Sequence, residues 1–254
     1  MTRGEPSKMP CGCAKKRVTL AASLRPARRS PNWAAFKGIR LMYRPPAFAV
    51  DDLTWLHAAM RTYPFATIAM AKDGLVRFAY APVVLDNTGG NLGTLRFHLA
   101  RNNPLAAAND ATLSFSFRGP DAYVSPDWYE TKGLVPTWNY IAVEATGIAR
   151  RVVGAELKQL LVDLSDAEEE QLHPKPAWQI DKVPPERLSQ LVTSIVGFSV
   201  PLDTLKGKFK LSQDKRLEDV TGVIAGLEAR NTPQSSAVAQ AMRDVALNVS
   251  IKGR

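Results

Sequence analysis

The sequence predicts an α+β fold, an antiparallel sheet closed as a barrel with flanking helices and a helical C-terminal end. Three observations predict it. Between residues 65 and 151, short apolar runs follow one another across hairpin-type turns with no long helix between them, which is not a βαβ pattern. Leu113, Phe115 and Phe117 alternate with Ser114 and Ser116, the period-two signature of a strand with one buried face. Helical periodicity is confined to a short segment before residue 65 and to the chain after residue 153.

The elements follow in order. A first helix is expected over 51–61, with Asp51 as its cap, Leu53, Leu56 and Met60 on one face, and Pro64 preventing continuation. Strands are expected over 65–71 and 75–85, joined by Asp73-Gly74, and over 92–99 after the turn Asn87-Thr-Gly-Gly90. Asn103-Pro104 reads as the cap and first position of a short helix, 104–108. Further strands are expected around 113–117 and over 121–125, 137–151 and 195–200. Helices are expected over 154–172, 186–195, 214–230 and 233–248, the last opened by Thr232-Pro233. The intervening 173–185, with prolines at 174, 176, 184 and 185, reads as a flexible linker.

Composition narrows the partners. The net charge of +9 looks like a nucleic-acid signal until it is located. Residues 1–41 carry ten Lys/Arg and one acid, while 42–254 balance 23 basic against 23 acidic residues. The body is therefore neutral, and its pI is weak evidence for a grip on phosphate backbone. The basic segment 1–41 reads as a polyanion-binding arm, a targeting segment, or an extension upstream of a true start at Met42; the last is favoured, which leaves 42–254 as one domain. The only two cysteines, Cys11 and Cys13, lie in that segment, too close for an ordinary disulfide and without the second pair a zinc site needs. A body without cysteine fits a cytoplasmic protein. No apolar run reaches the roughly 18 residues of a membrane-spanning helix.

Four segments carry a family resemblance. They are Met42-Tyr-Arg-Pro-Pro-Ala-Phe48, Phe97-His-Leu-Ala-Arg-Asn-Asn-Pro104, the pair Gly119-Pro-Asp-Ala-Tyr-Val-Ser-Pro-Asp-Trp-Tyr129 and Val135-Pro-Thr-Trp-Asn-Tyr140, and Gly207-Lys-Phe-Lys-Leu-Ser-Gln213. Together they resemble the PaiB-like FMN-binding negative transcriptional regulators over about residues 42–250. The resemblance implies a split β-barrel with FMN at the interface of a two-fold homodimer. It places His98, Ala100, Arg101, Asn102, Asn103, Tyr80, Val83, Val84, Trp138 and Gln213 as candidate cofactor-binding residues. Relatives usually carry His two residues before the proline of the second strand. Here Tyr80 stands before Pro82, which puts that contact in doubt.

The residues themselves give FMN's dianionic phosphate a fork, Arg101, with amides from Asn102 and Asn103 and the start of a short helix. The same turn also reads as a surface loop with a solvated arginine. His98 is either a ligand to the ribityl-phosphate or a satisfied strand residue. Trp128, Tyr129, Trp138 and Tyr140 are either walls for the flavin ring or packing at a barrel mouth. Lys208 and Lys210 share one face of any strand at 207–211, where they approach FMN or an acidic partner, or are simply solvated. His57, His98 and His173 show no spacing for a metal, and no hydrolase or nucleotide-loop motif is present.

Three functions are consistent with this pattern. A flavin-binding transcriptional regulator without turnover comes first, and an FMN-dependent oxidoreductase of the pyridoxamine-phosphate-oxidase type second. A polyanion binder driven by residues 1–41 comes third. Direct DNA contact finds weak support: the apolar face Ala237, Val238, Ala241, Met242, Val245 and Ala246 of the last helix reads as packing, not as a recognition surface.

Overall fold

The computed structural model describes residues 42–87 and 89–252. Residues 1–41 with their cysteines fall outside the described residues, and Met42 is the first residue described.

After a short β1 (Ala49–Val50), helix α1 (Leu53–Thr62) begins at Asp52, whose Oδ1 accepts from Thr54 N at 2.9 Å. Asp51, the expected cap, lies one residue too early and pairs with Arg44 and Lys206 instead. Strands β2 (Phe65–Lys72) and β3 (Leu75–Pro82) form the first hairpin around Asp73 and Gly74, both with positive φ. The expected strand 75–85 breaks at Val83, whose N–H leaves the ladder for Pro64 O, and resumes as β4 (Val84–Asp86).

Strand β5 (Thr94–Ala100), β6 (Thr112–Val124), β7 (Thr137–Ile148), β8 (Arg150–Val152) and β9 (Ile195–Lys210) complete the sheet, and every pairing in it is antiparallel. Two expected strands merge in β6, which passes through a register shift between Arg118 and Asp121. The expected strand 195–200 is also too short, because β9 runs on through Pro201 to Lys210.

The strand order is β3-β2-β6-β7-β9-β5-β4. β9 sets the architecture. Its first half pairs with β5 and β8, its second half with β7 and β1, so one strand belongs to two sheet halves. β3 comes back against β5 without pairing to it, and this gap splits the barrel. The inward side chains fill the interior as alternation predicts. Phe97 stacks on Phe198 at 5.3 Å and meets Phe115 edge-on at 5.6 Å.

Four helices lie outside the barrel. α2 (Gly154–Glu169) presses Leu157 and Leu160 onto Val152 and Gly197, and a Cβ at Gly197 would sit 2.6 Å from Leu157 Cδ1. α3 (Pro185–Thr193) leads into β9. α4 (Leu217–Ala229) and α5 (Pro233–Lys252) form a hairpin whose Val223, Leu227, Val238, Ala239 and Met242 are buried in the main core. No helix among the described residues is long and apolar enough to cross a membrane.

Candidate functional site

Inward residues of β5 (Leu95, Phe97, Leu99) close the core, so Arg96, His98 and Ala100 must face out of the barrel. There Arg96 Nη1 pairs with Asp163 of α2 at 2.7 Å, while His98 faces a cavity of about 550 Å³. Pro82 and Ile195 form its barrel side, Leu161 and Leu164 of α2 one wall, and Trp178, Ile180 and Leu188 another. Nδ1 of His98 is buried and has no partner among the described residues. Burial holds the imidazole's pKa below its ordinary value, so the ring is neutral at neutral pH.

Arg101 stands at the rim. Its backbone N–H donates to Ser194 O at 2.8 Å, and its Nε and Nη2 donate to Thr193 O and Ile195 O. Asn103 caps a 3-10 turn at Pro104–Ala107, accepting from Leu105 N at 2.9 Å. Asn102 is exposed beside it. β4, carrying Val84, ends its sheet, and no strand among the described residues pairs with its outer edge. Tyr80 lies on the outward side of β3, 64% exposed.

The remaining candidates lie elsewhere. Trp138, at the start of β7, is 53% exposed and packs edge-on against Tyr123 at 6.2 Å. The Gln213 amide is engaged with backbone, accepting from Leu211 N and donating to Phe209 O. Their chain neighbours Asn139 and Ser212, with Tyr129 and Lys210, line a smaller cavity of about 200 Å³ that neither Trp138 nor Gln213 enters. The Tyr129 hydroxyl is buried without a partner among the described residues, and burial with Asp214 and Asp219 nearby raises its pKa. Within one protomer, therefore, the Tyr80–Asn103 group and the Trp138–Gln213 group do not meet.

Of the four candidate ring walls, Trp128 packs elsewhere. Gly222 and Gly226 of α4 face it so closely that a Cβ at Gly226 would lie 2.3 Å from the indole. Sequence reasoning missed the outer wall of the large cavity. The supposed linker 173–185 is folded against α2, where Glu169 accepts from Trp178 N at 2.8 Å and pairs with Lys175. Trp178, Ile180 and Val183, apolar side chains spaced through a proline-rich stretch, were the available signal.

The cavity fits a flat amphipathic ring. It falls in the size range of cofactor pockets, its walls are largely apolar, and its barrel side offers an imidazole nitrogen with no partner among the described residues. A guanidinium at the rim suits an anion, although Glu168 and Glu169 also border the cavity.

An antiparallel split barrel with such a cleft outside β3–β5 defines a flavin-binding split-barrel protein. The family described as "Putative FMN-binding domain" matches residues 42–204, and the chain belongs to this PaiB-like, FMN-binding family. Its cofactor is FMN. An uncharacterized protein of Emericella nidulans, AN0679, is 30% identical over 243 residues, covering 80% of this chain and 97% of the relative. The "Protease synthase and sporulation protein PAI 2" of Bacillus subtilis is 28% identical over 207 residues with the same coverage. Among solved structures, an FAD and heme binding protein of Mycobacterium smegmatis is similar at a TM-score of 0.49 and 17% identity, over 68% of this chain and 78% of that one.

Proposed function

We propose that the protein is a cytoplasmic, homodimeric FMN-binding regulator, with the flavin ring in the 550 Å³ cavity beside His98. One observation carries the flavin site: a buried ring nitrogen, without a partner among the described residues, turned into a largely apolar cavity between β5 and α2. FMN when bound supplies electron-transfer chemistry. The chain's own residues do the rest. Neutral His98 donates to or accepts from the cofactor's polar groups, the outer edge of β4 at Val84 meets the ring's pyrimidine side, and Leu161, Leu164 and Trp178 exclude water. Arg101, Asn102 and Asn103 stand toward the phosphate.

The dimer is supported by an exposed apolar strip on β3. Phe78 and Tyr80 are 56% and 64% exposed, with Val76 and Phe65 beside them, more than a monomer leaves as scattered residues. The regulatory role draws on the name of the Bacillus subtilis relative, a protease synthase and sporulation protein. Contact with DNA through the α4–α5 hairpin is disfavoured. Val238, Ala239 and Met242 pack inward, and Arg243 pairs with Glu228.

The purified protein is expected to be yellow, with a flavin spectrum, and a colourless protein that does not take up FMN rejects the reading. The alternative, an FMN-dependent oxidoreductase, is favoured by the room the cavity leaves for a small substrate. Rapid bleaching of the bound flavin by NADPH would select it. Loss of any DNA affinity on removing residues 1–41, with flavin retained, would assign that affinity to the extension.

A further inference from the structure

The outer wall of the large cavity is held differently from the other two. The barrel side sits on strands of the main core, and α2 is fixed by the buried Leu157 and Leu160. The outer wall is residues 173–185 with α3, and no residue from 171 to 194 is buried. Trp178, Ile180, Val183 and Leu188 are half-buried, and all four line the cavity. Apolar contact this sparse is a weak anchor.

Hydrogen bonds secure this wall at one point. The backbone bonds of 173–185 are local: Lys175 N to Leu172 O, Lys182 N to Gln179 O, and Val183 N to Ile180 O. Among the described residues, the only hydrogen bonds tying this stretch to another element end on the Glu169 carboxylate of α2. One oxygen, Oε2, accepts from Lys175 Nζ and from Trp178 N, the latter at 2.8 Å. The Lys175 ammonium, and after it the Trp178 amide, hold this carboxyl below the usual carboxylate range, so it is charged at neutral pH. Helix stability does not call for that charge. Glu169 ends α2, where the macrodipole disfavours an anion, and Glu168 and Glu170 flank it.

We infer that residues 173–185 are a gate over the flavin cavity, latched by Glu169, and that the flavin enters and leaves when the latch opens. The inference rests on the flavin reading above and adds the control of that site.

Both ends of the gate are pinned, so it swings without unravelling. α2 precedes it, and beyond α3 the Arg101 side chain holds the carbonyls of Thr193 and Ile195. Prolines 174, 176, 184 and 185 restrict its backbone, which favours motion as a unit about its ends. With the gate in place, Nδ1 of His98 on the barrel side is out of solvent contact. Moving the outer wall is the least costly way to reach it, because α2 and the strands are tied into buried clusters.

The test combines hydrogen exchange, read by mass spectrometry, with stopped-flow release of FMN and of riboflavin from the full chain. In Glu169→Ala, amide exchange of 173–185 should rise about tenfold or more, with β5, β6 and β7 unchanged. Both flavins should leave about tenfold faster, because the gate covers the ring they share. Glu170→Ala, which removes an exposed neighbouring charge, should change neither measurement. Unchanged exchange in Glu169→Ala overturns the latch. Faster exchange with unchanged flavin release overturns the gate while the flavin reading stands. A wild-type chain that binds neither flavin overturns both. Should the alanine variant fail to fold, Glu169→Gln keeps an oxygen for the Trp178 amide but loses the charge facing Lys175. It should show a smaller rise in both measurements, and no rise overturns the latch.

Discussion

Arg101 illustrates how one cation can brace the fold beside a candidate site. The Arg101 side chain joins the end of β5 to the carbonyls of Thr193 and Ile195, and Ile195 itself lines the large cavity. Arg101→Ala should weaken FMN more than riboflavin, as the proposed phosphate contact requires, with a stability loss of about 1 kcal/mol for the lost hydrogen bonds. Titration with both flavins and a urea melt check this, and an undiminished affinity for both would remove Arg101 from the site. Glu144 gives a residue-scale prediction of another kind. It lies in a groove on the outward face of the sheet, lined also by Ser114, Ser116, Thr204 and Lys206, and burial lifts its pKa above the usual carboxylate range. The folded chain thus holds this proton more tightly than the unfolded chain. The penalty is absent below the unfolded pKa, grows as pH rises through the folded one, and is complete above it. Glu144→Gln should raise the melting temperature at pH 7–8, and the gain should vanish below about pH 4. A gain equal at both pH values would refute the burial argument.

At the scale of elements, α4 owes its closeness to the barrel to two glycines. Gly222 and Gly226, one turn apart, face Trp128, and the space for a methyl group at Gly226 is already filled by the indole. Gly226→Ala gains helix propensity yet should destabilise by about 1–3 kcal/mol, because the ring has to move. Chemical denaturation would show it, and a more stable variant would mean the helix shifts freely. This contact also explains what the sequence could and could not disclose. Alternation at Leu113, Phe115 and Phe117, the turn at Asp73-Gly74 and the cap at Asn103 are local signals, and all three appear where expected. The turn at Val83, the passage of β9 through Pro201 and the fold of 173–185 onto α2 depend on partners far along the chain. No window of sequence contains them. The candidate site shows the same division. His98, which lines the large cavity, lies within a segment whose resemblance had marked it, whereas the walls from α2 and Trp178 needed three dimensions.

At the scale of the molecule, β3 is the end strand of its sheet, and its outward face is the place to test assembly. Val76, Phe78 and Tyr80 project from it at alternate positions, about 7 Å apart, forming a continuous apolar strip. An end strand with such a face is an aggregation hazard unless something covers it. In the proposed dimer a second copy covers it. Phe78→Glu paired with Tyr80→Glu places two carboxylates in that contact, where neither finds a partner, while leaving the buried face of β3 (Ala79, Ala81) untouched. Sedimentation velocity should then show a monomer in place of a dimer. FMN affinity should fall in the same variant, although neither side chain lines the large cavity, if the proposed dimer completes the site. The two readouts separate the claims. A dimer that survives the double substitution locates the contact elsewhere, and a monomer that still prefers FMN to riboflavin places the whole phosphate grip within one chain.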